Sequence, residues 1–339
     1  MTVFAWGLIG PGRIARRFAS AVAGMGGSAL RAVHGRDPAR AADFARACAE
    51  SSGLPPPRVD ASADDLLNDP GIDAVYVATP HAHHGAWVRR CLEAGKPVLC
   101  EKPLVPNEPQ GQALVGLARA RHVFLMEAVW TRFLPAYAVA AEWLRTGAIG
   151  PLRAIQSSFC FPAPFDPGSR LFDPALAGGA LLDVGIYNLT VTRWVLQAMG
   201  GTCPEPRSIH ATGVLAPTGV DQRVAATVSF ADGLVSQFVC GLDGCATNSL
   251  VIHGERGVIE FPARFWEATE ARLQRTGEPE QRVQAPFQVN GFEYEIAEAQ
   301  RCIRAGLVES AAMPHAETLA TLRWMDEIRH QIGVRYPFE

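Results

Sequence analysis

The sequence predicts two α/β units in tandem: an N-terminal doubly wound parallel sheet, then an α+β domain on an open, mostly antiparallel sheet. Three observations carry this. Short apolar runs alternate with amphipathic helical stretches over the first third of the chain. After about Ala128 the pattern changes to longer strand-like runs with hairpin punctuation. A chain of 339 residues also exceeds what one hydrophobic core usually covers, so two domains are expected.

Residues 3–9, 29–34, 74–79, 98–101 and 123–127 are largely apolar runs and read as strands buried on both faces. Residues 14–25, 38–50, 84–93 and 108–121 between them read as helices. Their boundaries are marked. Gly26-Gly27 follows the first helix, Pro38 opens the second, and Gly95 with Pro97 closes the one before Val98. Strand alternating with helix at this spacing builds a parallel, doubly wound sheet.

A helix over residues 134–145 ends at Gly147, and Pro151 follows. Strands are then predicted over 152–161, 208–215, 223–230, 234–241, 249–253 and 257–261, with Ala231-Asp232-Gly233 as a hairpin turn. Residues 171–199 interrupt them and are helical from about Gly179, while helices over 292–305 and 316–330 complete the pattern. The domains are therefore placed at 1–127 and 128–339, with the active site expected between them.

Composition excludes several function classes. A net charge of -3, with Arg scattered among Asp and Glu, argues against nucleic acid or a polybasic membrane contact as partner. No unbroken apolar run reaches the ~20 residues needed to span a bilayer. Met1-Thr2-Val3-Phe4-Ala5-Trp6 enters strand-like sequence with no basic leader, so a cytoplasmic location is expected. None of the eight cysteines lies in a C-x-x-C pair, and Cys48, Cys91, Cys100, Cys160 and Cys302 sit in apolar or helical patterns, which points to free thiols.

Chemistry enters at the first strand-to-helix junction. Gly7-Leu8-Ile9-Gly10-Pro11-Gly12-Arg13-Ile14-Ala15 holds a G-x-G-x-x-A pattern with a strand before it and a helix after it. Gly10 allows the tight turn, Gly12 lets the backbone approach a pyrophosphate, and Ala15 lets helix and strand pack closely. The phosphates then face unpaired N–H groups at the positive end of the helix dipole. Gly7, Gly10, Gly12, Arg13 and Ile14 are thus assigned to a Rossmann-type dinucleotide site. The second strand ends Val33-His34-Gly35-Arg36-Asp37. Arg36 suits the extra phosphate of NADP, so NADP is favoured, with NAD as the alternative. Asp37 is one position late for a ribose contact and fits the N-cap of the next helix equally well.

Glu101-Lys102-Pro103 follows the strand over 98–101 at the carboxyl edge of the sheet, where ligands gather in open parallel sheets. Pro103 fixes the backbone there and admits a cis bond. His81-Ala82-His83-His84 is not read as a metal site, because three imidazoles in four residues make an awkward coordination sphere and no Cys or carboxylate cluster accompanies them. No Gly-x-Ser-x-Gly elbow supports a serine hydrolase.

Taken together, Ala94-Gly95-Lys96-Pro97, Glu101-Lys102-Pro103, the N-terminal glycine pattern, Thr79-Pro80 and His84 resemble the glucose–fructose oxidoreductase and inositol dehydrogenase (Gfo/Idh/MocA) family. Three longer motifs narrow this: residues 126–135 (MEAVWTRFLP), 170–174 (RLFDP) and 178–187 (GGALLDVGIY). They are similar to the branch containing dimeric dihydrodiol dehydrogenase and NADP-dependent D-xylose dehydrogenase. The resemblance implies that Lys102, Asp183 and Tyr187 form the catalytic group, the tyrosine replacing a histidine found in many inositol dehydrogenases. It implies that Thr79, Pro80, His84, Glu101 and Lys102 border the cofactor, and that Trp130, Arg132 and Phe133 lie near nicotinamide or substrate. It also implies a homodimer through the C-terminal sheet, with a tetramer as the alternative. Gly35 stands where a serine often precedes the NADP-binding arginine, and His81 where Asn is often found.

The residue chemistry agrees. Asp183 and Tyr187 are four apart in a helical stretch and share a face. A tyrosine with a pKa near ~10 is a poor base at neutral pH, and an ammonium such as that of Lys102 favours its phenolate. Tyr187 is therefore expected to act as base in oxidation and acid in reduction. Lys102 would polarise the substrate oxygen and Asp183 would orient substrate or lysine. Two alternatives stay open: Lys102 is the base itself, or Asp183 caps or pairs locally while Tyr187 is packed core. The expected reaction is NADP-linked interconversion of a hydroxyl and a carbonyl on a monosaccharide such as an aldopentose, or on a cyclic trans-diol. The rivals are an inositol or 1,5-anhydro sugar oxidoreductase and a non-catalytic cofactor-binding regulator.

Overall fold

Six parallel strands form the first sheet of the computed structural model, which describes residues 3–339; the predicted domain start at Met1 and Thr2 lies outside the described residues. They are β1 (Phe4–Ile9), β2 (Ser28–His34), β3 (Arg58–Val59), β4 (Ala74–Val77), β5 (Val98–Glu101) and β6 (Leu125–Ala128), in the order β3-β2-β1-β4-β5-β6. The connecting helices are α1 (Arg13–Gly24), α2 (Pro38–Ser52), α3 (Ala63–Leu67), α4 (His81–Glu93) and α5 (Glu108–Arg121). Every residue of β1, β4, β5 and β6 is buried, which is why these strands read as near-continuous apolar runs. The order reverses between β1 and β4, and that switch point is where such sheets bind ligands.

The second sheet has eight strands: β7 (Leu152–Cys160), β8 (Ser208–Leu215), β9 (Asp221–Ser229), β10 (Val235–Gly241), β11 (Leu250–Gly254), β12 (Gly257–Phe261), β13 (Glu270–Arg275) and β14 (Gln281–Gln284). Their order is β14-β13-β12-β11-β7-β10-β9-β8, antiparallel throughout except where β10 pairs parallel with β7. The helices are α6 (Pro135–Arg145), α7 (Ile186–Gly200), α8 (Glu293–Arg304) and α9 (His315–Ile332). A π-helical segment, Leu181–Gly185, leads into α7.

The chain divides into two compact units, the first comprising the described residues through Trp130 plus Gln288–Leu319, the second Thr131–Phe287 and Ala320–Glu339. The sequence reading keeps everything after residue 127 together; Gln288–Leu319 instead packs with the first unit. Arg17 of α1 shows why. Its guanidinium donates to the Asn290 carbonyl at 2.6 and 3.2 Å, and lies 4.3 Å from the Trp130 ring centre and 5.2 Å from that of Phe292. Glu293 gathers the turn before α8 by accepting from the amides of Val289, Asn290 and Gly291.

Four short elements escape the sequence reading: β3, α3, β13 and β14 are two to six residues long, too short or too polar for a periodicity argument. Among the described residues one stretch, Pro174–Gly200, is long and apolar enough by composition to cross a membrane, although no unbroken apolar run marks it. Its most apolar window is 89% buried inside the protein, as a core helix should be. All eight cysteines are free.

Candidate active site

The turn from β1 into α1 is built by close backbone approach. Gly10 has φ 94°, and a Cβ there would lie 2.7 Å from the Ala78 carbonyl oxygen at the end of β4. A Cβ at Gly12 would meet nothing within 4 Å, so that face of the turn is open. Gly7 has another reason for its identity: a Cβ would press on Leu66 at 2.8 Å, making it a packing position inside the first unit.

These residues fit a dinucleotide. Gly12 caps α1 with no side-chain hydrogen bond, and the first turn carries no acid. By contrast Asp37, Ser62 and Asn107 cap α2, α3 and α5 through their side chains. The leading amides of α1 thus keep their donors for a pyrophosphate. Arg13 and Ile14 are exposed on the same turn, and the buried hydroxyl of Thr79, at the end of β4, has no hydrogen-bond partner. Asp37 is occupied as an N-cap, accepting from the amides of Ala39 and Arg40 at 2.9 and 3.3 Å. Arg36 is exposed just before it. Gly35 is explained by its neighbour, since a Cβ there would lie 2.8 Å from Cγ and Cδ of Pro11.

The loop carrying Lys102 is held at every flanking residue. The Lys102 amide donates to Oε2 of Glu101 at 3.3 Å, and buried Tyr76 donates its hydroxyl to Oε1 of the same carboxylate. The Leu104 amide donates to Glu127 Oε1 at 2.8 Å, whose Oε2 accepts from Thr318 Oγ1 at 2.9 Å. The Lys102–Pro103 peptide is cis. His84 ties the loop to β4: Nδ1 lies 2.7 Å from the Pro103 carbonyl and Nε2 2.7 Å from that of Thr79. Both nitrogens face backbone carbonyls, and the neutral ring donates to one of them. Burial lowers the His84 pKa to about 4, outweighing the two carbonyls, which favour the charged ring. Tyr76 belongs to no sequence motif, and Glu127 lies in the 126–135 motif without an assigned role; a carboxylate inside the apolar run 123–129 is the one signal that it needed partners.

Asp183 and Tyr187 belong to the second unit. The Ile186 amide bonds to the Leu181 carbonyl, five residues back, so the segment is π-helical where the sequence predicts α-helix. Asp183 is 6% exposed and accepts from Arg170 Nη1 at 2.7 Å, a local pairing across the Pro-rich loop before it. Tyr187 is 7% exposed and lies against an aromatic wall. Its ring centre is 5.7 Å from that of Phe159, which stacks on Trp266 at 3.4 Å, with Phe161 at 6.4 Å. Arg132 donates to Gln197, and Phe133 is half-buried. Trp130 is buried in the first unit, between Arg17 and Phe292. Arg170, Phe159 and Trp266 had no assigned role at the level of sequence.

Comparison with known proteins bears on this site. Residues 4–129 match the oxidoreductase family with an NAD-binding Rossmann fold, GFO_IDH_MocA, and residues 137–260 match the GFO/IDH/MocA C-terminal domain. A trans-1,2-dihydrobenzene-1,2-diol dehydrogenase from Danio rerio is 36% identical over 338 residues, covering 98% of this chain and 97% of the relative. The Mus musculus protein of the same name is 34% identical over 344 residues, covering 98% of each. A 3-ketoreductase from Actinomadura kijaniata, solved with NADP and TDP-benzene, superposes with a TM-score of 0.82 at 25% identity over 98% of each chain. An aldose–aldose oxidoreductase from Caulobacter crescentus, complexed with glycerol, gives 0.82 at 25% identity over 97% of each.

Two outcomes are expected. Gly35→Ser forces the Pro11 ring to move, at an overpacking cost of about 1–3 kcal/mol, so it weakens NADPH binding in a fluorescence titration; tighter binding would contradict the packing explanation. The depressed pKa of His84 means that the folded state binds fewer protons than the unfolded chain between about pH 6.5 and about pH 4. Its neutral form therefore contributes up to about 3 kcal/mol above pH 6.5, lost as pH falls to about 4. The His84 ring resonance should stay at its neutral position down to about pH 5; a midpoint near 6.5 would refute the assignment.

Proposed function

The chain belongs to the GFO/IDH/MocA oxidoreductase family, and from that premise we propose that it interconverts a hydroxyl and a carbonyl on a cyclic trans-diol or a D-xylose-like monosaccharide, with NADP as the preferred cofactor. The observation that carries the substrate class is the wall beside Tyr187. Phe159 and Trp266 stack with their ring planes 5° from parallel, and Trp266 is half-exposed, which suits the face of a six-membered ring. The pair Asp183–Arg170 supplies polar groups in the same unit to fix ring hydroxyls. Arg36, exposed and next to an Asp37 already used as a cap, supports NADP over NAD.

In this reading Gly10, Gly12 and the first turn of α1 hold the pyrophosphate, and Arg36 the additional phosphate. The nicotinamide, when bound, supplies hydride exchange. Tyr187 takes the hydroxyl proton during oxidation and returns one during reduction. Lys102 polarises the substrate oxygen and favours the phenolate of Tyr187, while Asp183, steadied by Arg170, orients the substrate. The protein works in the cytoplasm as a homodimer. The open face of the second sheet supports that assembly, with a groove of about 820 Å³ lined by Gln156, Ser158, Thr227, Gln237 and Val239.

The test is reduced-nicotinamide absorbance with trans-cyclohexanediol and with D-xylose, using NADP and NAD in parallel. Tyr187→Phe should lower kcat about 10²–10⁴-fold while NADPH affinity holds, and Arg36→Ala should raise KM for NADP about tenfold or more with little change for NAD. Full turnover by Tyr187→Phe, or an equal effect of Arg36→Ala on both cofactors, would overturn these assignments.

A further inference from the structure

The π-helical segment starts from a turn that two buried side chains grip from different parts of the second unit. Gly179 has φ 118°, and a Cβ on it would lie 2.3 Å from Oδ1 of Asp221. Asp221 opens β9, is fully buried, and accepts from the Leu181 amide through Oδ2 at 2.6 Å. Leu181 lies in the first turn of the helical segment, where an amide has no acceptor within its own helix. The second grip comes from Tyr336, whose hydroxyl donates to the Gly178 carbonyl at 2.6 Å. Tyr336 lies 4.9 Å beneath the guanidinium of Arg329, which bonds Glu339 at 2.9 and 2.8 Å and Asp326 at 2.7 Å. A carboxylate and a phenol thus fix the two peptides from which the segment carrying Asp183 and Tyr187 departs.

We propose that Asp221 and Tyr336 are positioning residues for the reaction, locking the Gly178–Gly179 turn and hence the π-helical register that presents Asp183 and Tyr187. This rests on the reading that those two residues act on the substrate. A π turn and an α turn of the same sequence differ by one residue in hydrogen-bond register, so a side chain at position 183 or 187 changes direction if the segment slips. Glycine at 179 leaves room for the carboxylate, and the carboxylate in turn takes the amide that would be orphaned.

Charge adds a second signature. Burial raises the Asp221 pKa to about 7, opposed by the amides of Leu181 and Ala180 and by Arg329 on α9; Tyr336 and Cys240 on β10 are the other titratable groups facing it. A folded pKa above the unfolded one makes the contribution of Asp221 to stability fall as pH rises from about 4 through about 7, opposite in sign to that of His84. A permanently neutral Asp221→Asn escapes that loss.

The experiment compares Asp221→Ala, Asp221→Asn and Tyr336→Phe in the full chain with NADP. Asp221→Ala should lower kcat about 10–100-fold, leave NADPH affinity within about twofold, and speed hydrogen exchange of the amides in 180–186 about tenfold. Asp221→Asn, which keeps an acceptor, should restore most of kcat, and its melting temperature should gain on that of the wild type as pH rises from 4 to 7. Tyr336→Phe should reproduce the loss of kcat in weaker form. Unchanged kcat and unchanged exchange in Asp221→Ala would overturn the proposal, as would no recovery in Asp221→Asn. If Asp221→Ala does not fold, Asp221→Asn and Tyr336→Phe decide alone, through exchange at 180–186 and kcat against KM. The catalytic reading fails separately, if Tyr187→Phe and Asp183→Asn turn over normally; exchange at 180–186 still reports on the brace in that case.

Discussion

Backbone must pass backbone with no side chain between where β1 turns into α1, and the arrangement of the first unit follows from that crowding. Gly10 comes so close to the Ala78 carbonyl that only glycine fits, and Gly35 is held to glycine by the Pro11 ring. The same crowding places the end of β4 beside the turn. His84 then relays that position, its ring spanning the Thr79 and Pro103 carbonyls and so coupling β4 to the loop that bears Lys102. The turn that leaves amides open for a dinucleotide and the lysine proposed for catalysis are thus parts of one rigid edge.

The second unit reaches its precision by burying charge under constraint. Asp183 is paired with Arg170, and Asp221 is spent on a backbone amide. A buried hydrogen bond whose partner is removed costs about 1–3 kcal/mol. The aromatic stack of Phe159 and Trp266 lies next to Tyr187, so in the proposed reaction ring recognition and proton transfer would fall to neighbouring side chains.

Much of this was legible in the sequence, for reasons that differ by element. The strands β1, β4, β5 and β6 are buried on both faces and announce themselves as apolar runs, and the glycine turn needs only its strand and helix to be read. Lys102 stands out because it follows such a strand at the carboxyl edge of the sheet. Partners were not legible. Glu127 stands in the run 123–129 as an evident misfit, yet its acceptance from Leu104 and Thr318 depends on chain segments up to 191 residues away. Nor does any pattern separate a π turn from an α turn over 181–185, since the two differ only in which carbonyl each amide reaches. The packing of Gln288–Leu319 with the first unit turns on Arg17, Trp130 and Phe292 meeting across distant sequence.

The central claim, that Tyr187 carries the proton under the influence of Lys102, is tested most directly by titrating the phenol itself. Of the five tyrosines, Tyr76, Tyr137 and Tyr336 are held well above the ordinary value by burial, so their signals stay fixed through neutral and mildly alkaline pH. With ring-labelled tyrosine and NADP present, the carbon resonance that disappears in Tyr187→Phe should titrate below ~10 in the wild type and shift back toward ~10 in Lys102→Met. A Tyr187 resonance that titrates at or above ~10 in both proteins would contradict the account and return the role of base to another group.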